Sequence, residues 1–157
     1  MMTFFHLVNE PNGYLSNWYK SNFVLDDNSF CCVEQYLMWY KALMFHDTAT
    51  ASNILVENDP VRIKQLGRSV KGYIDSKWAS VRYEVVKVAL FAKFTQNAEL
   101  LKELLSTDGS FAECATNDLI WGIGVGMQDP KRFDPSRWRG QNLLGFALQE
   151  VYNDLSR

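Results

Sequence analysis

The chain has 157 residues, 47% of them apolar and 22% charged, a balance that excludes a disordered polypeptide and is enough to build one buried core. Its net charge of −2 excludes a broad basic face that grips nucleic acid by neutralising phosphates, yet permits a small anionic ligand met by two or three cations. No apolar run reaches the length of a membrane span, and the opening MMTFFHLVNEPNG lacks the basic flank and cleavage site of a signal peptide. A cytoplasmic protein with no membrane partner is therefore expected.

In chain order, residues 3–8 are predicted as a short strand. The segment NFVLDDNSFCC sets two apolar runs around Asp26-Asp27-Asn28 and predicts a hairpin. The period then turns helical. Val33, Leu37, Tyr40 and Met44 fall on one stripe, while Glu34, Met38, Lys41 and Phe45 fall on its neighbour. Asp47 is placed to cap a short helix reaching Leu55. Asp59-Pro60 begins another, which Gly67 would end after Leu66. A long helix is predicted from Asp75 or Ser76 to about Thr95, with Trp78, Val81, Val85, Val88 and Ala92 as its apolar stripe. Asn97 would cap a helix whose apolar face is Leu100, Leu101, Leu104 and Leu105, and Asp108-Gly109 turns the chain. Residues 111–140 are richer in Gly and Pro and read as extended or loop structure. A final helix from about Gln141 carries Leu144, Ala147, Leu148, Val151 and Leu155. The fold class expected is mainly α: a compact single-domain helical bundle over residues 1–157 with a small N-terminal β element.

With two His and three Cys, none in a paired ligand spacing, no metal site and no cofactor is expected. Cys31, Cys32 and Cys114 read as reduced packing residues. The aromatic content, five Trp, seven Tyr and ten Phe, exceeds the needs of a small core and points to a pocket where flat groups stack.

Four places offer chemistry. Glu34 and Lys41 share a helical face, about 10 Å apart along the axis, on a helix that Tyr36, Met38, Trp39, Tyr40 and Phe45 make apolar nearly all round. A carboxylate and an ammonium in such company need each other or a ligand to offset desolvation. Asp118-Leu-Ile-Trp121-Gly122-Ile-Gly124-Val-Gly126 joins a carboxylate, an indole and three glycines, which suits close backbone approach to a ligand or convergence of N–H groups on an anion. Arg62, Lys64, Arg68 and Lys71 around Gly67 form a candidate phosphate patch. Lys131, Arg132, Arg137 and Arg139 form a second cationic group in the late loop, beside Phe133 and Trp138.

The order of these pieces resembles the NADAR (YbiA-like) family over nearly the whole length. Leu15-Ser-Asn17-Trp18, Val33-Glu34-Gln35-Tyr36 with Lys41-Ala42, and Leu66-Gly67-Arg68 carry the first half of the resemblance. Trp78-Ala-Ser-Val81-Arg82, Ala92-Lys93-Phe94-Thr-Gln96-Asn97, Asp118-Leu-Ile-Trp121-Gly122 and Gly140-Gln-Asn142-Leu-Leu-Gly145 carry the second. Gln35 stands where many members have His. The resemblance implies an N-glycosidase acting on a small phosphorylated riboside, first among them the phosphoribosylamino-pyrimidine intermediates of riboflavin synthesis. Two alternatives belong to the same likeness. One is a hydrolase that removes ADP-ribose from guanine bases, the one case that makes nucleic acid a partner. The other is a non-catalytic sensor of ADP-ribose or NAD. By match, Glu34, Asp118 and Lys41 are implied as catalytic, with Asn17, Trp18, Arg68, Trp121, Gly122 and Asn142 around the substrate. In such chemistry a carboxylate stabilises the oxocarbenium-like transition state or activates water, and a second group protonates the departing base. Glu34 and Asp118 are interchangeable in these roles. Lys41 is left with two: binding the sugar or its phosphate, or attacking the sugar carbon as an amine.

Overall fold

The computed structural model describes all 157 residues. In chain order the elements are β1 (Thr3–Phe5), β2 (Phe23–Leu25), β3 (Asn28–Phe30), α1 (Val33–Met44), α2 (Thr48–Leu55), α3 (Pro60–Arg68), α4 (Asp75–Thr95), α5 (Ala98–Leu105), β4 (Phe111–Glu113) and α6 (Leu143–Leu155), with short 3₁₀ turns at Gly13–Leu15, Pro130–Phe133 and Pro135–Arg137. The fold is mainly α, as the helical periodicity predicts. The chain divides into two compact units, Met1–Tyr19 with Ala98–Arg157, and Lys20–Asn97 between them in sequence.

In the Lys20–Asn97 unit, β2 and β3 pair antiparallel, with Phe23 opposite Phe30 and Leu25 opposite Asn28. Asp26 and Asp27 take φ of 51° and 62°, the two left-handed positions that a two-residue hairpin turn with matching twist requires. Helix α1 packs against α2, α3 and α4. Three helical neighbours explain its lack of a polar face, and Val33, Tyr36, Leu37, Trp39 and Ala42 are all buried. Asp47 caps α2 by accepting from the Thr50 amide at 3.1 Å, and Asp59 caps α3 by accepting from Val61 at 3.0 Å. Both caps fall where the sequence puts them.

Two expectations in this unit are corrected. Gly67 does not end α3, which runs on through Arg68. Gly67 is buried, and a β-carbon there would strike the Met38 side chain, so the glycine serves close helix packing and not a terminus. On α4, Val88 is 47% exposed, whereas Val86, Ala89, Leu90 and Lys93 are fully buried. Its inner stripe runs through these residues together with Trp78, Val85 and Ala92, and the outer row is Glu84, Val88, Phe91 and Thr95.

In the other unit β1 and β4 pair in parallel, Phe5 beside Glu113. Helix α6 packs on β4 and α5 on α6. The loop after β4 builds a second apolar centre from Ala112, Cys114, Ile123 and Val125, with Met2, Phe4, Met127 and Trp138 against it. Helix α6 begins at Leu143 rather than Gln141, because Asn142 takes a left-handed backbone with φ 54° and ψ 39° and so stands outside the helix. No helix is long and apolar enough to cross a membrane.

Candidate active site

In the Lys20–Asn97 unit, Glu34 lies in the first turn of α1 and Lys41 in its last. Both are partly buried. The Lys41 ammonium sits over the Tyr73 ring, 4.4 Å from its centroid, and the Phe45 ring packs on Tyr73 at 5.4 Å. Burial pushes Lys41 below the ordinary lysine range; Glu34 opposes the shift, Arg68 adds to it and Asp75 opposes it. Glu34 and Arg68 therefore both act on Lys41. Arg68 ends α3 exposed, which suits a cation that meets an anion arriving from solvent.

Tyr73 and Asp75 join this group, although the sequence marks them weakly. The Tyr73 hydroxyl donates to Asp75 Oδ1 at 2.7 Å, and burial with that bond raises its pKa. Arg82, which also acts on Tyr73, has a fully covered Nε with no hydrogen-bond partner. The spacing of Arg82, four residues along α4 from the buried Trp78, was the available signal.

In the other unit, Asp118 Oδ1 accepts from the amides of Ile120 at 3.0 Å and Trp121 at 2.9 Å. One carboxylate oxygen thus shapes the turn that presents the half-buried Trp121. The glycines that follow do not form an anion cradle. Ile123 N–H and Gly124 N–H donate to the Glu113 and Ala115 carbonyls at 2.8 and 3.1 Å. Gly122 is buried, and a β-carbon there would press on Ala115 and on the Asp118 and Glu113 carbonyls. Tight backbone packing is what these positions demand.

Asn142 is 1% exposed. Its Nδ2 donates to the Phe111 carbonyl at 2.9 Å and its Oδ1 accepts from Glu113 N at 3.2 Å, so the side chain ties the start of α6 to β4. That corrects the expectation of a side chain turned to substrate: Asn142 holds the frame. Asn17 differs. It is 6% exposed and its Oδ1 is covered without a donor. Trp18 follows it, half-buried, with its amide donating to Ser16 Oγ at 3.1 Å. In the late cationic loop Arg132 and Arg139 are tied to backbone carbonyls, while Lys131 and Arg137 are exposed. Trp138 Nε1 donates to the Arg132 carbonyl at 2.9 Å, and Arg139 donates twice to the Gly124 carbonyl at 3.0 and 2.7 Å. Arg132 stacks over Phe133 at 4.1 Å. Trp138 is thus a packing residue and not an open platform.

No three His, Cys, Asp or Glu side chains are grouped to hold a metal ion. Cys31 departs from the packing role: Cys32 and Cys114 are buried, but Cys31 is partly exposed.

Comparison with known proteins places these residues in a wider setting. The model of the NADAR domain family matches residues 3–156. The N-glycosidase R617 of Acanthamoeba polyphaga mimivirus is 33% identical, over 94% of this chain and 92% of its own. The riboflavin biosynthesis protein VVA0006 of Vibrio vulnificus is 27% identical over 97% of this chain, which spans 38% of that longer protein. The NMR structure of the Escherichia coli protein YbiA matches 99% of this chain and 84% of its own, with a TM-score of 0.81 and 28% identity; that protein is named an N-glycosidase.

Proposed function

The chain belongs to the NADAR domain family, and from that premise we propose that it is an N-glycosyl hydrolase that cleaves the bond between a base-like amine and a phosphorylated ribose. The substrates proposed are phosphoribosylamino-pyrimidine intermediates of riboflavin synthesis. The observation that carries this reading is the group around Lys41: a lysine shifted towards its neutral form, a carboxylate (Glu34) and an exposed guanidinium (Arg68) that both act on it, and Tyr73, bonded to Asp75, beneath it. The names of the Vibrio and viral relatives support the reaction and the substrate class.

In this reading Arg68 takes the sugar phosphate as a charge-assisted fork. Glu34 faces the positive charge that grows at the anomeric carbon and activates the water that ends the reaction. Lys41 is assigned the attack on that carbon, because burial enlarges its neutral, nucleophilic fraction. The lysine nitrogen bonds to the sugar carbon as the bond to the base breaks, and the proton shed by the attacking amine goes to the departing base. Opening of the sugar ring turns the adduct into an imine, and water adds to it, releases ribose phosphate and restores the amine. Asn17, Trp18, Trp121 and Asp118 belong to the other unit, and the family resemblance alone implies them for the ribose, the base and its proton.

The test is to incubate the protein with the phosphoribosylamino-pyrimidine and to assay ribose 5-phosphate and free base. Glu34→Gln is expected to lower turnover at least about a hundredfold with the fold intact. Borohydride added during turnover should leave a sugar adduct that maps to Lys41. No ribose phosphate from the wild type would overturn the reaction, and turnover without a trapped adduct would remove the covalent role of Lys41.

A further inference from the structure

The adjacent thiols Cys31 and Cys32 take no part in the chemistry above, and the fold gives them different surroundings. Cys32 is 0% exposed and is the N-cap residue of α1. Cys31 lies on the wall of a cleft of about 420 Å³ that Phe23, Val24, Gln35, Asn58 and Gln96 also line, apart from Glu34 and Lys41. Its sulfur is 3.8 Å from that of Cys32 and 3.7 Å from the Lys20 ammonium.

Both sulfur and cation are fixed to one frame. Lys20 also donates to the Asn58 carbonyl. The Cys31 amide donates to Gln35 Oε1 at 2.7 Å, and Gln35 Nε2 reaches the carbonyls of Ile54 at 2.9 Å and Glu57 at 2.7 Å. A thiol that meets an ammonium and a second thiol at the edge of an open cleft has the surroundings of a reactive cysteine, not of a core one.

We propose that Cys31 is a reversible thiol-modification site that takes small disulfides into this cleft. The Cys31 thiolate attacks one sulfur of the disulfide, and a new S–S bond forms as the old one breaks. The other half leaves with the electron pair as a thiolate and takes a proton from solvent. Cys31 is oxidised, the departing thiol is the reduced product, and no further reactant is needed. Cys32 does not resolve the adduct. Neighbouring Cα atoms are about 3.8 Å apart, closer than the spacing of ordinary disulfides. The mixed disulfide persists until an external thiol reverses it.

The charges around the pair agree. Bonding from Cys32 is the main cause that lowers Cys31, to about 6; burial opposes it and Lys20 assists. The same bond to Cys31, and then burial, raise Cys32, and Glu34 adds to that rise. The buried Lys93 faces Cys32 from α4, and Glu57 stands on the cleft wall. Charge is thereby favoured on the Cys31 sulfur over the buried Cys32 sulfur.

The experiment treats the native protein with hydroxyethyl disulfide from about pH 5 to about pH 9, a range spanning the ordinary thiol pKa, and follows intact mass with peptide mapping. One adduct per chain is expected, on Cys31, removed by dithiothreitol, with a rate midpoint below the ordinary thiol value of about 8.5. Lys20→Gln should move that midpoint upward by roughly one pH unit. No adduct, an adduct on Cys32 or Cys114, or a wild-type midpoint at the ordinary value of about 8.5 would overturn the proposal. The wild-type profile alone decides if the variant does not fold.

Discussion

Asn142 offers a quantitative test of whether it holds the frame or meets a ligand. Its side chain gives one bond to the Phe111 carbonyl and takes one from the Glu113 amide, while its own backbone sits at φ 54°. Asn142→Ala deletes both bonds in a site 1% exposed. Each buried backbone group left without its partner costs roughly 1–3 kcal/mol. Alanine also pays about 1 kcal/mol to hold the left-handed backbone that Asn tolerates. The expected loss is about 3–7 kcal/mol, a large share of a stability of about 5–15 kcal/mol. Asn142→Gly loses the same bonds but not the backbone penalty, and should be about 1 kcal/mol less destabilised than the alanine variant. Urea unfolding of the three proteins, with the slope held common, measures both differences. Equal losses in the two variants would refute the backbone argument. Losses below about 1 kcal/mol in both would refute the frame role and return Asn142 to the substrate side.

Arg68→Ala should weaken phosphorylated ribosides by about ten- to a hundredfold and their dephosphorylated forms far less, since a charge-assisted bond is lost with the phosphate alone; parallel titrations check this, and equal weakening would assign Arg68 to the fold. Lys93→Met probes the buried amine on α4, which burial lowers to about 7 from 10.5. The unfolded state binds more protons than the folded one between these values, so the cost of burying Lys93 is complete below about pH 7 and fades as pH rises. The stability gained by Lys93→Met should therefore be largest near pH 6 and shrink by up to about 1.4 kcal/mol per unit above pH 7; a gain independent of pH would mean that Lys93 is not buried as a titrating amine.

Local patterns in the sequence determined most of the secondary structure, because caps and turns are decided by neighbours in the chain. Asp47 and Asp59 before their helices, Asp26-Asp27 at the hairpin and Asp108-Gly109 are short-range signals, and the glycine there takes φ 78°. The shared face of Glu34 and Lys41 follows in the same way from helical period. Glycine is where this reasoning fails: in sequence a terminal glycine and a packing glycine look alike, and Gly67 is the latter because the Met38 side chain crosses it. Tertiary structure alone decided that Tyr73 lies under Lys41, since the two are brought together by helix packing over a long chain separation. It also decided that Asn142 spends both amide atoms on β4, that Trp138 is absorbed by its own loop, and that Cys31 reaches a cleft while Cys32 is buried. Hydrogen-bond partners and burial depend on what the rest of the chain places nearby, and residue type or period cannot specify that for a polar side chain.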